Sequence, residues 1–421
     1  MKRMIMQLFR SIVTIIVVGT MAAMIFSLRG ELAATKAKAT TAAAKSVIAD
    51  RPHVFSMSCK VPSCNHELNT PEGRKQAIAW FRRHHITKLW LESYRHAERA
   101  ESPLLAEERD AFRAAGFEVC GMITPTKLND PPADGEETPF VVCWSDPAAQ
   151  SRLASESARA AELFDTIIID DFLFSTCDEN CERCTELKKQ LGLQDWGMFR
   201  RELMKAVAWN SIILPGRCAN PKVHFIIKYP CWYQHWADNG YDPVAGTEMF
   251  GECWIGTETR DANPDAVQGC CLMEAMDRLT DGKCGGGWYD ALDCSPEKFV
   301  EQARYTILGG ARESLVHCYD YLLAKDPGST PFGEKADRSH ACAAAFSREI
   351  EALAELAESL RGAERAGWKW ADRECRVSCH YFRKGARRYA AYQNVTDEPQ
   401  QVDGHDLKPH GFLWTELADA K

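Results

Sequence analysis

Eight short runs rich in β-branched and aromatic residues, separated for the most part by longer stretches of helical period, restrict the fold of this chain more than anything else in it. The runs fall at 53–60, 88–94, 117–124, 166–174, 223–229, 249–256, 284–289 and 314–319. Parallel strands need a crossover of a dozen or more residues between them, usually a helix, and strands covered on both faces read as nearly continuous apolar runs. Helices are predicted over 71–84, 103–115, 146–163, 196–211, 265–279, 296–308 and 339–360. Three of these are announced by a capping hydroxyl followed by proline, at Thr70-Pro71, Ser102-Pro103 and Ser295-Pro296. The connection at 232–247 is short and carries glycine. Eight such units in tandem predict an α/β fold, a (β/α)8 TIM barrel. The absence of a shorter fixed repeat excludes solenoids and propellers.

The flanks of the repeat divide the chain. Lys2, Arg3 and Arg10 precede an uncharged run, 11–28, that stops at Arg29 and is just long enough to cross a bilayer. Residues 1–29 are therefore expected to be a signal peptide or a transmembrane anchor, with the positive flank keeping the N-terminus inside and sending the rest across. On that reading the protein is exported, periplasmic or extracellular, and touches the membrane through its N-terminal helix if that helix is not cleaved. Residues 30–50, rich in Ala, Lys and Thr, form a linker; 51–366 hold the barrel; 367–421 make a small C-terminal β appendage with strands at 376–382, 388–392 and 411–416. That appendage reads as a lid on the barrel or as a carbohydrate-binding module. All 18 cysteines lie at or after Cys59, so export into an oxidising compartment predicts disulfides among them.

Charge narrows the partners. A net charge of -8 and a pI near 5.9 exclude nucleic acid, which is bound by basic faces that release phosphate counterions.

Barrel enzymes build their sites from the C-terminal ends of the strands, and polar residues concentrate there in this sequence. The fourth run ends in Asp170-Asp171, and alternation along a strand sends one of the two toward the mouth and the other toward a neighbouring loop. The sixth leads from Trp254 into Glu258, Arg260 and Asp261. Glycoside cleavage requires one carboxyl group to protonate the leaving oxygen and another to attack or to activate water, and these two strand ends supply such a pair. Lys228 and Tyr229 on the fifth strand, Trp288 and Asp290 on the seventh, Glu92 on the second and Tyr319 on the eighth are candidates for substrate binding, since aromatic faces stack on sugar rings while charged groups reach hydroxyls. The triplet Gly285–Gly287 would let ligand or backbone approach closely. Cys177, Cys181 and Cys184, spaced C-x3-C-x2-C after the fourth strand, suit local disulfides or, with a fourth ligand from elsewhere, structural zinc.

The segment from Phe164 to Phe172, the Trp-Ile-Gly-Thr-Glu-Thr-Arg-Asp stretch at 254–261 and the Gly-Gly-Gly-Trp-Tyr-Asp stretch at 285–290 resemble those of uncharacterised bacterial glycoside-hydrolase-like TIM barrels, with a more distant likeness to the alpha-galactosidase clan. The resemblance implies a glycoside hydrolase acting on an oligosaccharide or polysaccharide without a cofactor. It implies Asp171 or Asp170 as nucleophile and Asp261 or Glu258 as acid/base. The fourth run departs from the clan in lacking the lysine that precedes the nucleophile there. Two other readings remain: a noncatalytic, membrane-anchored carbohydrate-binding barrel, and a zinc-dependent hydrolase.

Overall fold

A computed structural model describes residues 48–129, 138–259, 267–323 and 336–418. The predicted N-terminal signal or anchor, and nearly all of the linker, lie outside the described residues. Among these, no helix is long and apolar enough to cross a membrane.

Eight parallel strands close on themselves: β1 (Val54–Cys59), β2 (Ile86–Arg95), β3 (Glu118–Ile123), β4 (Thr166–Ile169), β5 (His224–Tyr229), β6 (Gly251–Gly256), β7 (Cys284–Asp290) and β8 (Glu313–His317). Each pairs with the next, and β1 pairs with both β2 and β8. The outer ring is α1 (Pro71–Arg83), α2 (Ser102–Ala114), α3 (Pro147–Leu163), α4 (Trp196–Ala208), α5 (Pro243–Phe250), α6 (Val267–Leu279), α7 (Pro296–Leu308) and α8 (Ala336–Leu360). Thr70 and Ser295 accept the expected capping bonds, from the amides of Gly73 at 3.0 Å and Lys298 at 3.1 Å. Ser102 does not cap; it is already the first helical residue. Helix α5 fills the connection that read as a short loop, started by Asp242 accepting from the Ala245 amide.

Side chains alternate across a strand, and the alternation separates two cores. Trp90, Met122, Ile168, Ile226, Trp254, Trp288 and Leu315 pack together with Cys120 inside the barrel. Their neighbours Leu89, Leu91, Ile167, Ile169, Ile227 and Ile255 join the layer between strands and helices. Trp90 and Trp254 meet edge to face at 5.3 Å. Their indole N–H groups donate to Glu313 at 2.9 Å and Glu252 at 2.8 Å, so neither polar edge is buried unsatisfied. Gly286 of β7 serves this packing: a Cβ there would stand 2.8 Å from ring atoms of Trp254.

An antiparallel sheet follows, in the order β9 (Glu364–Trp370), β10 (Val377–Lys384), β11 (Arg387–Asn394) and β14 (Phe412–Leu417), with β12 (Gln400–Val402) and β13 (His405–Leu407) as a separate hairpin. It is fastened to the flank of the barrel along α7. Tyr305 and Ser378 share a hydroxyl bond at 2.7 Å, Arg304 donates to Gln393 at 3.0 Å, and His410 meets Glu301 at 2.9 Å.

The expectation of disulfides is corrected: none is formed among the 18 cysteines. Many are packed instead as small apolar groups, Cys59, Cys64, Cys253, Cys284, Cys294 and Cys342 among them.

Candidate active site

On six of the strands the interior face, carried two residues past the apolar plug, arrives at a polar group. Trp90 leads to Glu92, Met122 to Thr124, Ile168 to Asp170, Ile226 to Lys228, Trp288 to Asp290 and Leu315 to His317, all of them buried. Glu258 lies just beyond the end of β6. Its carboxylate lies close over Gly256, where a Cβ would come within 2.5 Å of Oε2.

Two charged groups organise this layer. Arg95 donates to Glu92 at 2.8 Å and to Asp170 Oδ2 at 3.2 Å. The Thr124 hydroxyl stands 2.5 Å from Glu92 and 3.2 Å from Asp170, and the Val61 amide donates to the other Glu92 oxygen. Lys228 Nζ lies 2.6 Å from Asp171 Oδ2, 3.2 Å from Glu258 Oε1 and 3.6 Å from Asp170 Oδ1. Burial disfavours the ammonium, but Asp171, Glu258 and Asp170 outweigh it and raise the pKa, so Lys228 stays charged. Burial pushes the Asp171 carboxyl up, against the pull of Lys228 and with a further push from Asp170. The Glu92 carboxyl is also raised by burial, opposed by Arg95 and Thr124.

Strand alternation parts Asp170 and Asp171 less than the sequence implies. Strand β4 ends at Ile169, so its pleat no longer governs Asp171, and both acids reach the same ammonium. The Asp171 amide donates to Asp170 Oδ1 at 2.8 Å, which fixes the turn.

An aromatic wall stands beside the charges. Lys228 Nζ sits 4.6 Å from the centre of the Trp288 ring, on which His317 stacks at 4.7 Å. His317 Nδ1 is held by the Ser58 hydroxyl at 2.8 Å. Farther out, Phe140 contacts both Phe172 and His96 at 5.0 Å.

Several predicted residues lie elsewhere. Tyr229, one residue after Lys228, points outward against α5, where a Cβ on Gly246 would meet its hydroxyl. Trp254 belongs to the plug beneath the site, and Glu252 lies on the same interior face. Tyr319 packs on Phe81 and Trp80 of α1. Asp290, by contrast, stays with the polar layer at the end of β7, where it accepts from the Leu292 amide at 3.1 Å. Arg260 and Asp261 lie outside the described residues. Arg95, Thr124, Ser58 and His317 escaped the sequence reading, although the two-residue period from the apolar plug leads to Thr124 and His317.

Near the mouth, Cys177, Cys181 and Cys184 gather with Cys143, their sulfurs within 4.8 Å of one another.

The profile of a family described as "probable glycosyl hydrolase, catalytic domain" matches residues 42–351. An uncharacterized protein of Saccharolobus solfataricus is 23% identical over 238 residues, 52% of this chain but only 39% of that protein. The glycoside hydrolase domain of PgaB (BpsB) from Bordetella bronchiseptica superposes with a TM-score of 0.54 at 10% identity, over 73% of this chain and 99% of that one. That likeness bears on the barrel fold. The alpha-galactosidase AgaB of Geobacillus stearothermophilus gives a TM-score of 0.44 at 9% identity, over 90% of this chain and 56% of that one.

Proposed function

The chain belongs to the family of probable glycosyl hydrolase catalytic domains, and from that premise we propose that it cleaves glycosidic bonds in an oligosaccharide or polysaccharide with Asp171 as nucleophile and Glu258 as acid/base. The observation that carries this reading is the convergence of both carboxylates on the Lys228 ammonium at the C-terminal end of the barrel. Asp171 and Glu258 are also slightly more exposed than Asp170, which lies behind them in the bonds of Arg95 and Thr124.

Their spacing favours retention of anomeric configuration. Both oxygens touch one nitrogen, at 2.6 and 3.2 Å, so they stand no farther apart than those contacts laid end to end, about 6 Å. Inverting pairs begin at roughly 6.5 Å, leaving room for a water. In the first step Glu258 gives its proton to the glycosidic oxygen while Asp171 attacks the anomeric carbon and the leaving alcohol departs. In the second, Glu258 takes a proton from water, which displaces Asp171. Lys228, nearer to Asp171 than to Glu258, favours the ionised nucleophile against the burial that raises its pKa. Trp288, buried against Lys228 and His317, supports the charged layer from within, and Asp170 with Arg95 orients Lys228.

Purified protein screened on polysaccharides and aryl glycosides supplies the substrate. Glu258→Gln then lowers kcat by about 10^2–10^4-fold, and Asp171→Asn abolishes turnover. Azide restores turnover to Glu258→Ala and yields a glycosyl azide. Wild-type rates in both Asp171→Asn and Glu258→Gln would refute the assignment. Loss in Asp261→Asn with full activity in Glu258→Gln would transfer the acid/base role to Asp261.

A further inference from the structure

We propose that Cys143, Cys177, Cys181 and Cys184 bind one zinc-class divalent ion in a closed tetrathiolate site that clasps two loops of the barrel rim. The inference is independent of the carboxylate assignment above. The geometry of the sulfurs carries it. Cys143 Sγ lies 3.7 Å from Cys181 Sγ and 3.9 Å from Cys184 Sγ, and all four sulfurs fall within 4.8 Å of one another. Zinc–sulfur bonds of about 2.3 Å place the corners of a tetrahedron about 3.8 Å apart. Four buried or half-buried thiols at that spacing, supplied by two separate loops, match the ligand number and chemistry of a structural zinc site.

The surroundings suit thiolates. Cys181 occupies the N-cap of the helix Glu182–Gln190 yet makes no side-chain capping bond, which leaves its sulfur for another partner, and Cys184 lies in the first turn. The amide-rich end of a helix stabilises negative sulfur. The Ser145 hydroxyl stands 3.1 Å from Cys184 Sγ, whose thiol donates to it, and 3.2 Å from Cys143 Sγ, to which it can donate. Arg200 donates to the Cys177 carbonyl at 2.9 and 2.7 Å, bringing positive charge beside a site whose four thiolates exceed the ion's charge by two.

The clasp joins the segment between β3 and α3, which carries Cys143, to the segment after β4, which carries the other three. The same two segments are tied by Arg183 to Asp146 at 2.8 Å and by the Trp144 indole to the Phe174 carbonyl at 2.8 Å. The second segment begins at Asp170 and Asp171. With every coordination position taken by sulfur, the ion has no place for a water and acts by holding the rim. Binding releases the thiol protons, so it weakens as pH falls.

The test uses the full chain, purified without added metal. Elemental analysis is expected to find zinc, or iron in its place, at about one ion per chain, released when a mercurial titrates the thiols. Cys143→Ser and Cys181→Ser lose the ion, and Cys218→Ser, an exposed cysteine outside the cluster, keeps it. Reconstitution of wild-type protein with cobalt gives the thiolate-to-cobalt charge-transfer band and the intense visible bands of a tetrahedral tetrathiolate, a readout that survives if the serine variants fail to fold. The proposal is overturned if no stoichiometric metal is found and no such spectrum forms, or if peptide mapping shows Cys143 disulfide-bonded to Cys177, Cys181 or Cys184.

Discussion

Replacing Lys228 by methionine is the sharpest probe of the charged layer. Methionine keeps an unbranched apolar stem beside Trp288 and removes the ammonium. That ammonium touches Asp171 at 2.6 Å, Glu258 at 3.2 Å and Asp170 at 3.6 Å. Among the described residues, Arg95 contacts Asp170 and Glu92. Asp171 and Glu258 thus each lose a contacting cation, at sites less than a tenth exposed. Removing one partner of a buried ion pair costs about 3–5 kcal/mol, because a charge is left in low dielectric. The loss must depend on pH. Without Lys228 the folded-state carboxyls titrate higher than those of the unfolded chain, so the folded state holds more protons. Stability of the variant therefore falls as pH rises, by about 1.4 kcal/mol per pH unit for each proton of difference. Urea unfolding followed by tryptophan fluorescence, at pH 5 and pH 8, is expected to show a deficit against wild type near the full value at pH 8 and clearly smaller at pH 5. Adding Asp171→Asn should recover part of it, since the amide needs no counter-charge. A deficit below about 1 kcal/mol at pH 8, or one equal at both pH values, would refute the view that Lys228 holds this layer together.

Two further perturbations test other parts of the molecule. Gly286→Ala places a methyl 2.8 Å from the Trp254 ring and should destabilise the barrel by about 1–3 kcal/mol, seen as a lower urea midpoint with unchanged slope; a neutral effect would show that the plug can yield. His410, bonded to Glu301 and Asp397 at 2.9 Å each, has its pKa raised by Glu301 first, against partial burial and with help from Asp397, to about 9. Its contribution to fastening the C-terminal sheet is complete below the ordinary histidine pKa and is lost as pH rises through about 9. Amide exchange in β11 and β14, corrected for intrinsic rates, should accelerate over that interval, and His410→Gln should remove the dependence.

Local pattern was enough for the barrel and not for the site. Runs such as Thr166–Ile169 and His224–Tyr229 announce strands because burial on both faces demands apolar residues whatever the partner. Helix α5 was passed over because eight residues with two glycine-bearing neighbours give no amphipathic period, and its signal was the Asp242-Pro243 start. Strand β9 was missed because most of its residues are exposed and Gly367 interrupts it. Asp170, Asp171, Lys228, Glu258 and Trp288 were legible as polar or aromatic groups at strand ends, but which face each occupies depends on the pleat. Tyr229 and Lys228 differ by one position and fall on opposite sides. The phase becomes readable only once the plug is known, and it then points to Thr124 and His317. Cys143 was invisible beside the C-x3-C-x2-C motif because proximity to it is created by the neighbouring βα loop, far away in sequence.

The indoles of Trp90 and Trp254, with the aliphatic groups around them, leave the barrel without a bore. A ligand admitted at the mouth meets a dead end and must back out through the opening by which it came. On the proposed function, substrate would enter and product leave by the same end of the barrel, from which the segment carrying Phe172 and Phe174 departs. Whatever stiffens that end governs arrivals and departures alike, even from residues that never touch a sugar.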